Sequence, residues 1–152
     1  MKRLVVILMF VLLLCGCDKK IKQSDEVKRL YLSDKYYNNG EFINVSDLSK
    51  LDQDTYVLFT YNNFCNFEIS CDKIFESFMK KYKIDFVKIP FNNFKDTIFY
   101  ETVKYAPSIL IVSDNKIVGY LDANDDMDLD KYQDEKSFEM WMDKCIYFEN
   151  GK

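Results

Sequence analysis

The spacing of apolar and polar residues divides the chain into an apolar leader, a polar stretch and an alternating series of strand-like and helix-like segments. Leu4 to Leu14 is an unbroken apolar run of 11 residues behind Lys2 and Arg3. A helix needs about 20 apolar residues to span a bilayer, so the run is too short and reads as the core of an export signal. Residues 17–27 carry little apolar content and read as a tether. Phe42 to Val45 alternates like an outer strand, and Ser46-Asp47 is placed to cap a short helix through about Leu51. Tyr56 to Tyr61 (YVLFTY) is rich in β-branched and aromatic residues, as a buried strand is. A loop over 62–70 follows, holding Asn62, Asn63 and Asn66.

From Cys71 to Lys83 the apolar residues Ile74, Phe75, Phe78 and Tyr82 recur on one helical face, with Ser70 at the N-cap position. Ile84 to Ile89 alternates as a strand stopped by Pro90, and Phe94 to Tyr105 carries a weaker helical pattern. Ile109 to Val112, the turn Ser113-Asp114-Asn115 and Ile117 to Leu121 read as a hairpin. Residues 122–135 are acidic and loop-like. Lys136 to Phe148 closes the chain as a helix, with Phe138, Trp141, Met142, Cys145 and Ile146 on its apolar face. The order β-α-β-α-β-α-β-β-α predicts an α/β domain over 28–152, parallel in its first half and antiparallel in its last hairpin.

Composition narrows the chemistry. The 152 residues carry net charge −4, no histidine and five cysteines. An acid excess argues against a nucleic-acid partner, whose binding demands a basic patch. The lack of histidine removes the commonest general base and metal ligand, so neither a metal nor a cofactor is expected. Thiols are left as the reactive groups. Asp122, Asn124, Asp126, Asp128 and Asp130 stand at alternate positions, as the ligands of a calcium loop do. Met127 and Gln133 stand where that loop needs glycine and a bidentate glutamate, so the stretch reads as a solvated acidic loop. Cys145, on an apolar helix face, reads as a buried thiol acting as a small hydrophobe.

The leader ends in Leu14-Cys15-Gly16-Cys17, which resembles the bacterial lipobox. The resemblance implies cleavage after residue 16, a diacylglycerol on the sulfur of Cys17, and a mature protein held at the extracytoplasmic face of a membrane. Loss of residues 1–16 takes Lys2 and Arg3 but no acid, moving the net charge from −4 to −6. Cys15 leaves with the signal.

The element order, the stretch YVLFTYNNFC ending in Cys65, and Tyr105-Ala106-Pro107-Ser108 before ILIV and SDNK resemble the thioredoxin family. The resemblance covers about 42–148. It implies a three-layer α/β/α sandwich with a mixed sheet, a C-terminal β-hairpin and a closing helix. It also implies a thiol-disulfide oxidoreductase whose Cys65 attacks and Cys71 resolves, with Phe64, Ala106 and a cis Pro107 meeting an extracytoplasmic protein or peptide thiol or disulfide. The family spaces its cysteines by two residues; here five separate Cys65 from Cys71. In one regular helix the pair would lie about 9 Å apart, beyond disulfide reach, so Cys65 belongs to the loop and Cys71 to the helix start. Orphan amides at that helix start would stabilise a thiolate, whereas Glu68 and Asp72 would oppose one by like-charge repulsion. The family's buried acid falls near Phe59 or Thr60 and is missing. A second reading therefore stands beside the first: a non-catalytic binding module in which Cys65–Cys71 is a structural disulfide, as export to an oxidising compartment allows.

Overall fold

The structure is a computed structural model, and it describes residues 29–51, 53–62 and 70–151. The signal, the tether, Cys17, Phe64, Cys65 and Glu68 lie outside the described residues. Strands β1 (Phe42–Asn44) and β2 (Thr55–Tyr61) are followed by helix α1 (Cys71–Tyr82) and strand β3 (Phe86–Pro90). The short helix α2 (Phe91–Phe94) leads to the hairpin of β4 (Ser108–Ser113) and β5 (Lys116–Asp122). Helices α3 (Leu129–Gln133) and α4 (Glu135–Cys145) complete the chain.

The five strands form one mixed sheet in the order β1-β3-β2-β4-β5. β1, β3 and β2 run parallel, while β2 with β4 and β4 with β5 are antiparallel. The peptide bond from Ala106 to Pro107 is cis. This strand order, these directions and a cis proline entering the fourth strand are those of the thioredoxin-like fold, as the sequence leads one to expect.

Alternation places two faces on the sheet. Phe42, Phe59 and Phe86 face α1 and α4, where Phe59 meets Phe75 edge-on at 5.1 Å and Phe138 lies 4.8 Å from Phe75. The α1 stripe of Ile74, Phe75, Phe78 and Met79 is buried there, as are Phe138, Trp141, Met142 and Cys145 of α4. Burying that many large apolar side chains, each worth about 1.5–3 kcal/mol, makes this the principal core. The other face carries Tyr56, Leu58, Val87 and Ile89.

That second face is covered thinly, and here the sequence reading needs correction. The helix expected over 94–105 is instead α2 and a separate 3-10 turn, Ile98–Glu101. Phe94, Phe99 and Val103 are buried, but at spacings that suit consecutive turns better than one continuous helix. The helix expected to Leu51 is a 3-10 turn, Ser49–Leu51, whose start is held by the Asp47 carboxylate on the Ser49 amide at 2.9 Å. The acidic stretch 122–135, expected as loop, contains α3 and a buried tyrosine, Tyr132. The closing helix ends at Cys145 rather than Phe148, because Leu30 forms a parallel bridge with Ile146 and draws the chain into extended backbone. Pro90, expected to stop β3, is its last residue, and its missing N–H is tolerated at a strand end.

Two local devices fix the frame. Asp114 and Asn115 both take positive φ, 48° and 59°, the backbone of the two-residue hairpin turn between β4 and β5. Gly40, at φ 77°, passes so close to the end of α1 that a Cβ would sit 2.3 Å from the Met79 carbonyl oxygen. The buried Asp85 carboxylate pins the same loop by accepting the amides of Asn39, Gly40 and Glu41 at 2.8 to 3.2 Å.

Candidate functional site

β2, α1 and β4 bring their chemistry to one end of the sheet. β2 runs out at Tyr61, α1 begins at Cys71, and the cis Pro107 lies just before β4, whose Ser108 pairs with Thr60. Cys71 is therefore the first residue of α1, as its position after Ser70 suggests, and it is buried. Ser70 occupies the N-cap position with extended backbone, but its side chain makes no capping hydrogen bond. Pro107 is buried, Ala106 half-buried and Tyr105 exposed. The Asn62 side-chain amide donates to the Ala106 carbonyl at 3.1 Å, tying the end of β2 to the proline loop. The sequence marks Asn62 only as a loop residue; its bridging role depends on a contact 44 positions away.

The cation of Lys88 is the feature that sequence reading missed. Lys88 sits in β3 opposite Phe59, on the helix face of the sheet. Its ammonium lies 4.4 Å from the Phe42 ring, 4.6 Å from Tyr61 and 5.2 Å from Phe59. It donates to the Asp72 carboxylate at 3.0 Å. The Lys88 side chain is 14% exposed and that of Asp72 is 40%. Asp72 is the second residue of α1, immediately after Cys71. The expectation that Asp72 opposes a thiolate thus needs a counterweight, because a cation stands against its charge. The only sequence signal is a lysine inside the apolar alternation of IDFVKI.

The position where an acid is missing is occupied by packing. Phe59 is wholly buried among Phe42, Tyr61 and Phe75. Thr60, on the opposite face, is buried, and its hydroxyl has no hydrogen-bond partner among the described residues.

Tyr132 of α3 closes the site from the other side. Its ring meets Phe75 edge-on at 5.8 Å, and its hydroxyl donates to the Leu121 carbonyl at 2.7 Å and receives the Ile109 amide at 3.3 Å. Complete burial pushes its phenol well above the ordinary range, and the acidic charges of Asp122, Cys71 and Asp128 act in the same direction. The surrounding aspartates are committed to local turns. Asp122 accepts the Asn124 amide, Asp125 the Met127 amide, and Asp128 the Asp122 amide. Among the described residues no group of three or more acids or cysteines is arranged to hold a metal, and no helix is long and apolar enough to cross a membrane.

Cys145, read as a buried thiol, is one, and burial pushes it up to about 11. Its sulfur lies 3.7 Å from where a Cβ at Gly119 would stand, so α4 rests directly on β5 at this point. It takes no part in the site at the start of α1.

Among solved structures, the chain is similar to a thioredoxin from Trypanosoma brucei brucei, at 14% identity and a TM-score of 0.46, covering 73% of this chain and 99% of that one. It is also similar to thioredoxin f from spinach chloroplast in its long form, at 20% identity and a TM-score of 0.44, covering 71% of this chain and 98% of that one. No family model matches the chain, and no curated protein matches it in sequence.

Proposed function

We propose that the protein is a membrane-anchored, extracytoplasmic thioredoxin-like protein, lipidated at Cys17, that exchanges thiols and disulfides through Cys65 and Cys71. The observation that carries this reading is the placement of Cys71 at the first turn of α1, at the sheet end that also presents the cis Pro107. Orphan backbone amides at a helix start favour a thiolate nearby. In the Lys88–Asp72 pair the cation offsets the carboxylate that follows Cys71.

The chemistry balances as two displacements. The Cys65 thiolate attacks one sulfur of a substrate disulfide, forming a mixed disulfide and expelling the first substrate thiolate. The Cys71 thiolate then attacks the Cys65 sulfur, forming Cys65–Cys71 and expelling the second substrate thiolate, which is the general course of thiol-disulfide exchange. The substrate gains two electrons and the protein loses them; run backwards, the same steps oxidise a dithiol. Phe64, Ala106 and Pro107 would meet the substrate beside the sulfurs.

The second reading is a binding module in which Cys65–Cys71 is a staple. The burial of Cys71 and the apolar Phe59 in place of an acid favour it. Insulin reduction by the full chain in detergent, with a dithiol reductant to recycle it, separates the two. Turnover lost in both Cys65→Ser and Cys71→Ser supports exchange. Turnover in the native chain no greater than in Cys65→Ser overturns it and leaves the binding module.

A further inference from the structure

The ladder between β2 and β4 stops short at the thiol end of the sheet. Its antiparallel register sets Thr60 opposite Ser108; carried two residues outward, it sets Asn62 opposite Ala106. Neither strand reaches that pair, because β2 ends at Tyr61 and β4 begins at Ser108. Pro107 stands between, and without an N–H it cannot continue the backbone pairing. The Ala106 carbonyl is therefore an acceptor at the mouth of the ladder. Its donor is not a backbone amide but the side-chain amide of Asn62, at 3.1 Å. Both residues are half-buried, and the neighbouring Tyr105 is exposed, so this contact lies at the surface of the end where α1 begins with Cys71.

An extended peptide joins a sheet through main-chain hydrogen bonds, and a segment laid beside Ala106 needs this carbonyl as its acceptor. The Asn62 side chain carries the same chemical group as a peptide N–H and already holds the oxygen. A carbonyl has two lone pairs, but Asn62 approaches from the β2 side, in the direction from which the ladder itself would continue. An incoming backbone thus competes with it for space as well as for the oxygen. Holding the loop in place does not demand Asn62. The Ser108 hydroxyl donates to the Tyr105 carbonyl at 2.9 Å, and the pairing of Ser108 with Thr60 anchors the start of β4.

We propose that Asn62 is a latch on the peptide-binding end of the sheet: its amide occupies the Ala106 carbonyl in the unliganded protein, and an extended peptide segment displaces it with a main-chain N–H. The proposal rests on the reading that a protein or peptide is met beside Pro107, which thiol exchange and the binding module share. Calorimetric titration of the full chain in detergent, with a thiol reductant present, tests it. The probe is the B chain of insulin with its thiols blocked by iodoacetamide, so that binding is read without exchange. Asn62→Ala binds the probe about fivefold more tightly than the native chain, the worth of one hydrogen bond no longer broken on binding. In insulin reduction the same variant lowers KM by a similar factor and leaves kcat near the native value. Near-UV circular dichroism matching the native chain establishes that the variant is folded; should it fail to fold, Asn62→Asp, of the same shape but with no N–H to donate, is read in its place. A Kd unchanged or raised overturns the latch, because a contact that only holds the loop can weaken binding when removed but cannot strengthen it. No binding by either chain up to about 1 mM also overturns it. Tighter binding without insulin turnover upholds the latch and overturns thiol exchange.

Discussion

Removing Lys88 separates an ion pair that holds the fold from one that tunes the site. At 3.0 Å and an effective dielectric near 20, the attraction between Lys88 and Asp72 is about 5–6 kcal/mol before desolvation is counted. Asp72 is 40% exposed, so solvent screening and the desolvation of Lys88 reduce the net value to about 1–2 kcal/mol. Lys88→Met keeps an unbranched stem among Phe42, Phe59 and Tyr61 and gains sulfur–ring contacts, while Asp72 remains solvated at a helix start that favours an acid. The expected cost is within about 1 kcal/mol. Asp72→Asn leaves the ammonium, 14% exposed, without its counter-ion, at a cost of about 2–3 kcal/mol. The double variant then costs less than Asp72→Asn alone. Urea unfolding of the full chain, read through the single tryptophan, Trp141, measures all three. A Lys88→Met loss larger than that of Asp72→Asn would refute the reasoning, because it would mean that the cation, not its neutralisation, is what the aromatic cage requires. The functional arm is alkylation of the cysteines against pH: with Asp72 no longer offset, Lys88→Met moves the thiolate reaction to higher pH.

Three further outcomes follow from the same geometry. Gly40→Ala forces a Cβ against the Met79 carbonyl at positive φ, and a loss of about 3 kcal/mol is expected in urea unfolding, several times that of Gly119→Ala, whose Cβ finds ordinary contact distances. Thr60→Val replaces a buried hydroxyl lacking a partner among the described residues, so Tm rises by an amount equivalent to about 1 kcal/mol; a fall would refute this. Burial holds the Cys145 thiol at about 11, above its unfolded value near 9. The unfolded thiol therefore ionises first, and the stabilisation present below pH 9 is lost as pH rises toward 11. Unfolding free energy should fall more steeply there in the native chain than in Cys145→Ala, by about 2–3 kcal/mol over the window; equal slopes would contradict the burial.

What could be read in advance was periodic. The YVLFTY strand, the stripe of Ile74, Phe75 and Phe78, and the hairpin around Asp114-Asn115 each report their environment within a few residues, and each stands where expected. The segment 94–105 did not, because its weak helical period leaned on Ile98 and Tyr105, which are exposed, while the buried Phe94, Phe99 and Val103 fall at spacings that suit consecutive turns. Tyr132 was lost for the opposite reason. One aromatic among six aspartates in 122–135 has no periodicity, and its burial is decided by the backbone groups of Ile109 and Leu121 that its hydroxyl joins. Lys88 was hidden because a charge within an alternating strand ordinarily marks the solvent face. Only the register that sets it opposite Phe59 turns it inward.

These two misses are physically connected. At this sheet end β2 offers a buried ring, Phe59, that packs on Phe75, and no carboxylate. The cation on the neighbouring strand must still be neutralised, since an unpaired ammonium among three rings is too poorly solvated to be retained cheaply. Asp72 neutralises it from α1, one residue beyond Cys71, and Tyr132 supplies the polar group that bridges β4 and β5 below the same thiol. The charge balance of the site thus rests on the helix that carries the cysteine. Such an arrangement couples the sulfur's surroundings to the position of the α1 start. Any movement of residues 63–70 that shifts Cys71 also shifts Asp72 relative to Lys88, so closing or opening a Cys65–Cys71 bridge should change the ion pair as well. If so, the oxidised and reduced proteins differ in how much Asp72→Asn destabilises them; equal costs in the two states would separate the ion pair from the thiol chemistry.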